Sequence, residues 1–505
     1  MTSTRPAPVA AGGGAAAVVV RGPATGQVLA TLAGDDAASV ARAARRARQA
    51  QLVWGALPPA DRARPFLRLF GRLLRRDAAP LLDLLQAETG KCRRDAVEEV
   101  LDAAATALYY ARHAGRFLAP DRRGVAVPGL TRTVEQRQPL GLVGVISPWN
   151  CPLALAVADV VPALLAGNAV LHKPDVQTPL SVRWLVALLR REGLAPDLWT
   201  VLAGPPEVLG GPLLAAVDFL CFTGSSRTGR RIAAECGDRL IGSSLELGGK
   251  NPMLVLADAD LDRAAAGAIR ACFAHAGQLC LAIERIYVAD PVYDAFLERF
   301  VARTAALRLG PRADMGSLTL DRQLATVERH VASARVGGAV VRTGGRRRSE
   351  LGPLYYEPTV LTGVRPGMPV HREETFGPVV SVYPVAGEAA AIAAANDSEY
   401  GLNASVWTRS QARGRAVAAR LRAGTVNVND GYAAAYASHD APMGGMKGSG
   451  LGRRHGRTGL TRFTESQTVA AQRLVGLDRT FGLSADGYAA AAGALFRGLK
   501  ALGVR

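Results

Sequence analysis

The chain has 505 residues, 49% apolar and 21% charged, which excludes wholesale disorder and exceeds one ordinary core, so two or three folding units are expected. Its 61 basic and 43 acidic residues leave a formal charge of +18. Lysine stands only at 91, 173, 250, 447 and 500, and the arginines are scattered, so the excess reads as compositional bias and speaks against a nucleic-acid stripe. The six cysteines (92, 151, 221, 236, 272 and 280) include no C-x-x-C pair and form no disulfide framework, which points to a reducing cytoplasm. Residues 1–20 read as a flexible tail, since no apolar core of a signal peptide is present. Residues 35–51 and 60–118 have helical spacing, with Leu67, Leu69, Phe70, Leu73 and Leu74 set around Arg68, Arg72 and Arg75. Gln138 to Ala158 is uncharged and long enough to span a bilayer. Pro139, Pro148 and Pro152 break it, however, so it reads as strand, turn, then buried helix. Short apolar runs at 142–146, 169–171, 199–201, 218–222 and 253–256 then alternate with helical segments. A second block follows at 285–288, 340–342, 359–361, 379–383, 404–407 and 424–428. Two such blocks imply two α/β domains with a cleft between them. The basic segment 344–353 reads as a surface loop and 461–471 as β-rich. From Asp486, Tyr488, Ala492, Leu495, Leu499 and Leu502 form a helical stripe opposite Arg497 and Lys500. That stripe suits packing on a subunit surface or contact with a membrane surface.

Several familiar signatures are missing: no G-x-G-x-x-G, P-loop, G-x-S-x-G elbow or metal-spaced His/Cys group occurs, and no metal is called for. Three segments carry chemistry instead. In Gly277-Gln278-Leu279-Cys280 the cysteine sits beside a glycine turn, as a nucleophile or as an ordinary buried thiol. In Leu245-Glu246-Leu247-Gly248-Gly249-Lys250 the glutamate is either an acid/base group or a partner for Lys250. In Ser147-Pro148-Trp149-Asn150-Cys151-Pro152 an amide is fixed between prolines, for an oxyanion or for local backbone groups.

Together these segments resemble the aldehyde dehydrogenase superfamily, from about residue 20 to 475. Lys173-Pro174-Asp175, Phe222-Thr223-Gly224-Ser225, Glu374-Thr375-Phe376-Gly377-Pro378, Asn396-Asp397 and Pro442-Met443-Gly444-Gly445-Met446-Lys447 match in the family's order. The actinobacterial NADP-dependent succinate-semialdehyde branch is the most similar, through Ile283-Glu284-Arg285 and the segment from Ala441 to Gly456. The resemblance implies an α/β fold with two doubly wound domains and a small bridging, oligomerising β element. Its expected boundaries are 21–130 and 143–248 for dinucleotide binding, 249–459 for catalysis, 131–142 and 460–475 for oligomerisation, and 476–505 for a helical tail.

It also implies roles. Cys280 would be the nucleophile, Asn150 and the Cys280 N–H the oxyanion donors, and Glu246 the base that hydrolyses a thioester. The expected cofactor set is Trp149, Lys173, Asp175, Val176, Gly224, Ser225, Leu247, Glu374 and Phe376. NAD-preferring relatives place a glutamate where this chain has Val176, so NADP is mildly favoured over NAD. Succinate semialdehyde is the expected aldehyde, in a cytoplasmic homodimer or homotetramer. Better-studied relatives grip its carboxylate with arginines where this chain has Ala158 and Ala274, so Arg270, Arg285 or His275 is left to contact the substrate, or the aldehyde is less polar.

Overall fold

The structure is a computed structural model, and it describes residues 15–74, 78–125, 130–473, 480–501 and 503. Arg75 of the first helical stripe, residues 1–14 of the expected tail and Leu502 lie outside them. The expected tail is shorter than 1–20, because Ala15–Arg21 is a strand paired antiparallel with Val28–Gly34. Val18 and Val20 are buried there, and burial of that alternating face supplies the driving force.

The helical region 60–118 divides into Pro59–Leu73, Ala79–Thr89 and Arg93–Leu118. Gly90 ends the second of these in a left-handed cap, with φ 77°, and donates its N–H to Gln86 O. These helices and Ala37–Ala56 pack Phe66, Leu69, Leu81, Leu85 and Tyr110 onto the first sheet.

That sheet has six strands. In spatial order they are Gly450–Leu451, Gly242–Glu246, Phe219–Thr223, Leu142–Ser147, Ala169–Pro174 and Trp199–Val201. All pairings are parallel except the one between Gly450–Leu451 and Gly242–Glu246. Both faces are covered by helices, which is why these strands read as continuous apolar runs. The second sheet has seven strands, in the order Val340–Thr343, Thr359–Thr362, Val379–Val385, Ile283–Ala289, Asn251–Val255, Asn403–Trp407 and Thr425–Val428. Only its first pair is antiparallel. Each sheet has its own core, centred on Val143, Val145 and Leu171 in the first and on Met253, Ile286 and Val380 in the second.

A third, antiparallel sheet joins Thr464–Gln472, Thr131–Pro139 and Asp121–Arg123, with Thr464 opposite Pro139 and Gln472 opposite Thr131. The edge strand Thr464–Gln472 is exposed from Glu465 onward. The helix Ala485–Ala501 has no buried residue, and among the described residues no helix is long and apolar enough to cross a membrane.

Candidate active site

The chemistry-bearing segments meet where strands of both sheets end. The strand Leu142–Ser147 runs into Pro148-Trp149-Asn150-Cys151, and the helix Pro152–Leu165 starts directly behind it. Pro152 occupies the first helical turn, where a missing N–H costs nothing. Asn150 is buried. Its carbonyl accepts from Lys91 Nζ at 2.9 Å and its Nδ2 donates to Gln278 O at 2.8 Å, while Oδ1 has no hydrogen-bond partner. Lys91 is ion-paired in the interior with Glu99, whose Oε1 accepts from Leu153 N at 2.8 Å and Ala154 N at 3.2 Å. One carboxylate therefore caps the helix start and neutralises the lysine that holds the asparagine turn.

Cys280 follows a single turn at Ala274–Gly277. Gly277 has φ 69°, and a Cβ there would stand 2.2 Å from Gly377 O, so only glycine lets the two loops touch. Gln278 ties the loop down: its Oε1 accepts from Thr319 N at 2.9 Å and its Nε2 donates to His275 O at 3.1 Å. The Cys280 carbonyl accepts from Asn251 Nδ2 at 2.7 Å, and Asn251 Oδ1 accepts from Asn403 N at 3.0 Å. Cys280 is one of only two cysteines that are not buried, Cys151 being the other. The pocket and then the Glu246 carboxylate push the Cys280 thiol up to about 12, so it rests protonated.

Glu246 ends the strand Gly242–Glu246 opposite Gly450, where the chain returns from the second domain to pair with the first. Its Oε1 is buried without a partner. Burial lifts its carboxyl to about 7 against the opposing pull of Arg454 and Arg462. Those guanidiniums are committed to Asp159. Arg454 contacts it at 2.9 and 2.6 Å and Arg462 at 2.7 Å. Lys250, the alternative partner for Glu246, pairs instead with Glu284.

The cofactor candidates stand on the neighbouring strand ends and loops. Lys173 is buried with no ion pair among the described residues, donating only to Pro174 O at 3.1 Å, and burial lowers its pKa. Ser225, directly after Gly224, caps the helix Ser226–Asp238 by accepting from Thr228 N at 3.3 Å. Glu374 Oε1 accepts from Gly249 N at 2.8 Å, and burial raises its carboxyl to about 8. A Cβ on Gly248 would stand 2.5 Å from Glu374 Oε2. Phe376, at φ 51°, meets the edge of Trp149 with centroids 5.5 Å apart. Leu247 is buried, while Val176 and Asp175 are half-buried. A buried lysine without an ion pair among the described residues, a helix start and a loop-held carboxylate fit a dinucleotide's ribose hydroxyls and phosphates.

The side groups suggested for a substrate carboxylate do not come together. Arg285 is buried and donates to Lys250 O at 2.9 Å and to Ala394 O and Ala395 O at 3.1 Å, so it braces the second sheet and cannot grip a substrate. Arg270 is paired with Asp95 at 3.0 Å and with Glu98. Ala158 and Ala274 are buried. His275 is buried at φ 51° and gives its N–H to Asp95 Oδ2 at 2.9 Å.

Sequence reasoning missed Lys91, Glu99 and Glu284. Lys91 is one of only five lysines, but nothing local connects it to Glu99 and Asn150. Glu284 holds the loop after Glu374, accepting from Thr375 N at 2.9 Å and from Phe376 N at 2.9 Å.

Two largely parallel, helix-covered sheets with a cysteine, a buried glutamate and an asparagine turn at their strand ends have the architecture of an α/β enzyme. The chain belongs to the aldehyde dehydrogenase family, whose sequence model matches residues 10–469. It is 52% identical over 464 residues to a Mycolicibacterium smegmatis protein named "Putative succinate-semialdehyde dehydrogenase [NADP(+)]", covering 91% of this chain and 90% of that one. The crystal structure of succinate-semialdehyde dehydrogenase from Burkholderia pseudomallei superposes with TM-score 0.87 at 35% identity, over 91% of this chain and 95% of that one. An Escherichia coli NADP-dependent enzyme also superposes with TM-score 0.87, at 33% identity over 91% and 95% of the two chains.

Proposed function

We propose that this protein oxidises an aldehyde to its carboxylic acid through covalent attachment to Cys280. Supporting this is the convergence of Cys280, Glu246 and the Asn150 amide on one cleft between the sheets. The Cys280 sulfur adds to the aldehyde carbon, and the thiol proton leaves toward Glu246, whose carboxyl near 7 is suited to accept it. The oxyanion takes hydrogen bonds from Asn150 Nδ2 and the Cys280 N–H, which form the same hole whichever aldehyde is bound. NAD or NADP, when bound, supplies the two-electron oxidant that turns the thiohemiacetal into a thioester. Lys173, Gly224, Ser225, Leu247, Glu374, Phe376 and Trp149 are the residues that would hold it. Glu246, once it has passed that proton to solvent, takes another from the water that attacks the thioester and returns it to the leaving sulfur, releasing acid and free Cys280. Val176 leaves room for a 2′-phosphate without repelling it, and the NADP in the relatives' names supports NADP use.

Succinate semialdehyde is the named candidate substrate, on the strength of those names. The exposed strand Thr464–Gln472 supports self-association through its open edge, and the free cysteines support a cytoplasmic setting. The test is a panel of succinate semialdehyde and aliphatic and aromatic aldehydes, each with NAD and NADP. Acid produced in step with reduced cofactor supports the reading; no oxidation of any aldehyde removes it.

A further inference from the structure

The strand Ala169–Pro174 carries the buried Lys173 and runs directly into the turn Asp175-Val176-Gln177. That turn is fixed in place. Asp175 Oδ1 accepts from Gln177 N at 3.0 Å and the Asp175 carbonyl accepts from Thr178 N at 3.1 Å. Gln177 Nε2 donates to Arg21 O at 2.6 Å and to Glu88 O at 2.9 Å. The second carboxylate oxygen of Asp175, Oδ2, faces Arg322 Nη2 at 4.0 Å. Asp175 is the only ion-pair partner of Arg322 among the described residues. At 4.0 Å the two share charge but no hydrogen bond, so the guanidinium donors are unspent. The Arg322 side chain is 73% exposed and open to a ligand.

Arg322 reaches this turn from the other domain, on the helix Asp321–Val336, and the start of that helix is anchored on three sides. Thr319 N donates to Gln278 Oε1 in the Cys280 loop at 2.9 Å, and Thr319 Oγ1 donates to Thr89 O in the first domain at 2.6 Å. Gln323 Nε2 donates to Thr375 O at 2.6 Å and Phe376 O at 2.8 Å, in the loop that follows Glu374. Consecutive residues of one helix start therefore serve two places. Gln323 holds the Glu374 loop, and Arg322 stands at the Asp175-Val176 turn.

The charges there discriminate between ligands. Alone, the Asp175 carboxylate would repel a phosphate beside Val176, as a glutamate at 176 would. Arg322 cancels that repulsion and adds a planar fork of N–H donors suited to phosphate oxygens. Lys173, without an ion pair among the described residues, brings a second cation to the same turn. Glu207, exposed on the helix Pro206–Ala216, acts on Lys173 only through space. Two cations around one carboxylate favour a phosphate dianion over a neutral hydroxyl.

We propose that Arg322 is a specificity-determining residue that recognises the 2′-phosphate of NADP from the second domain. This rests on the reading that the turn after Lys173 faces the adenine ribose, and it identifies the side chain that attracts the phosphate Val176 merely tolerates.

The experiment is calorimetric titration of the full-length protein with adenosine 2′,5′-bisphosphate and with AMP. The two probes differ only in the 2′-phosphate, and neither needs turnover to be read. The bisphosphate should bind roughly tenfold or more tighter than AMP at low salt, as for a charge contact in a partly desolvated site. In Arg322→Ala the ratio should fall to about one or below, since Asp175 is then unanswered. In Arg322→Glu it should invert in favour of AMP, and Arg322→Lys should keep part of the preference. The kcat/KM ratio of NADP to NAD should follow the same order across the four proteins. A native ratio near one, or a ratio unmoved in the Ala and Glu variants, overturns the proposal, while aldehyde oxidation with NAD by the unmodified protein stands. If neither probe and neither dinucleotide binds, the dinucleotide reading falls as well.

Discussion

Two buried lysine–glutamate pairs flank the cleft, one on each side, and they do different work. Lys91–Glu99 belongs to the first domain and pins the turn that carries Asn150, while Glu99 caps the helix behind it. Lys250–Glu284 belongs to the second domain and pins the loop of Glu374 and Phe376. Buried ion pairs are poor sources of net stability, because desolvation offsets most of the attraction. Both are better understood as fixtures, each spending its remaining hydrogen-bond capacity on one loop. The first fixture holds the asparagine turn and the second holds the Glu374 loop, so the roles proposed for the two sides of the cleft should be separable by experiment.

The largest effect should come from the nucleophile. Cys280→Ala should abolish aldehyde oxidation and leave cofactor binding, read by fluorescence titration, close to the native value, since the thiol holds no part of the dinucleotide. Loss of both together would break the comparison.

Next is Glu246→Gln, which should slow both the first turnover of reduced cofactor and the steady state, the latter by about a hundredfold or more, because the Cys280 thiol and the attacking water both lose their proton acceptor. In the native enzyme kcat should rise with pH through about 7, where Glu246 loses its proton, and the Gln variant should lose that limb. Stopped-flow traces across the pH range check both, and an unchanged profile would release Glu246 from the role.

On the cofactor side, Val176→Glu should lower kcat/KM for NADP by roughly tenfold or more relative to NAD, through repulsion of the 2′-phosphate. An unmoved ratio would mean that residue 176 does not face the ribose.

The smallest and most diagnostic test concerns the fixtures. Glu99→Gln should lower kcat several-fold with little change in cofactor KM, whereas Glu284→Gln should raise cofactor KM several-fold, each a positional slip of a second-layer group. Equal effects on both parameters from both variants would show that the pairs merely support the fold.

The amino-acid sequence by itself determined the local elements: the apolar runs are strands of two largely parallel sheets, and Gln138 to Ala158 is strand, turn and helix. Burial on both faces writes itself into a run of apolar side chains, so these elements were legible. Cys280, Glu246 and Asn150 were legible only as family motifs, since a thiol, a carboxylate and an amide far apart in the chain carry no mutual geometry. Only the tertiary structure decided that Ala15–Arg21 is a strand, because its partner strand supplies the ladder. It also decided that Arg285 braces a sheet, that Lys250 answers Glu284 and not Glu246, and that Lys91 reaches across to Asn150. Charge pairing in a protein interior is settled by which groups the fold brings within a few ångströms, and sequence separation gives no measure of that distance.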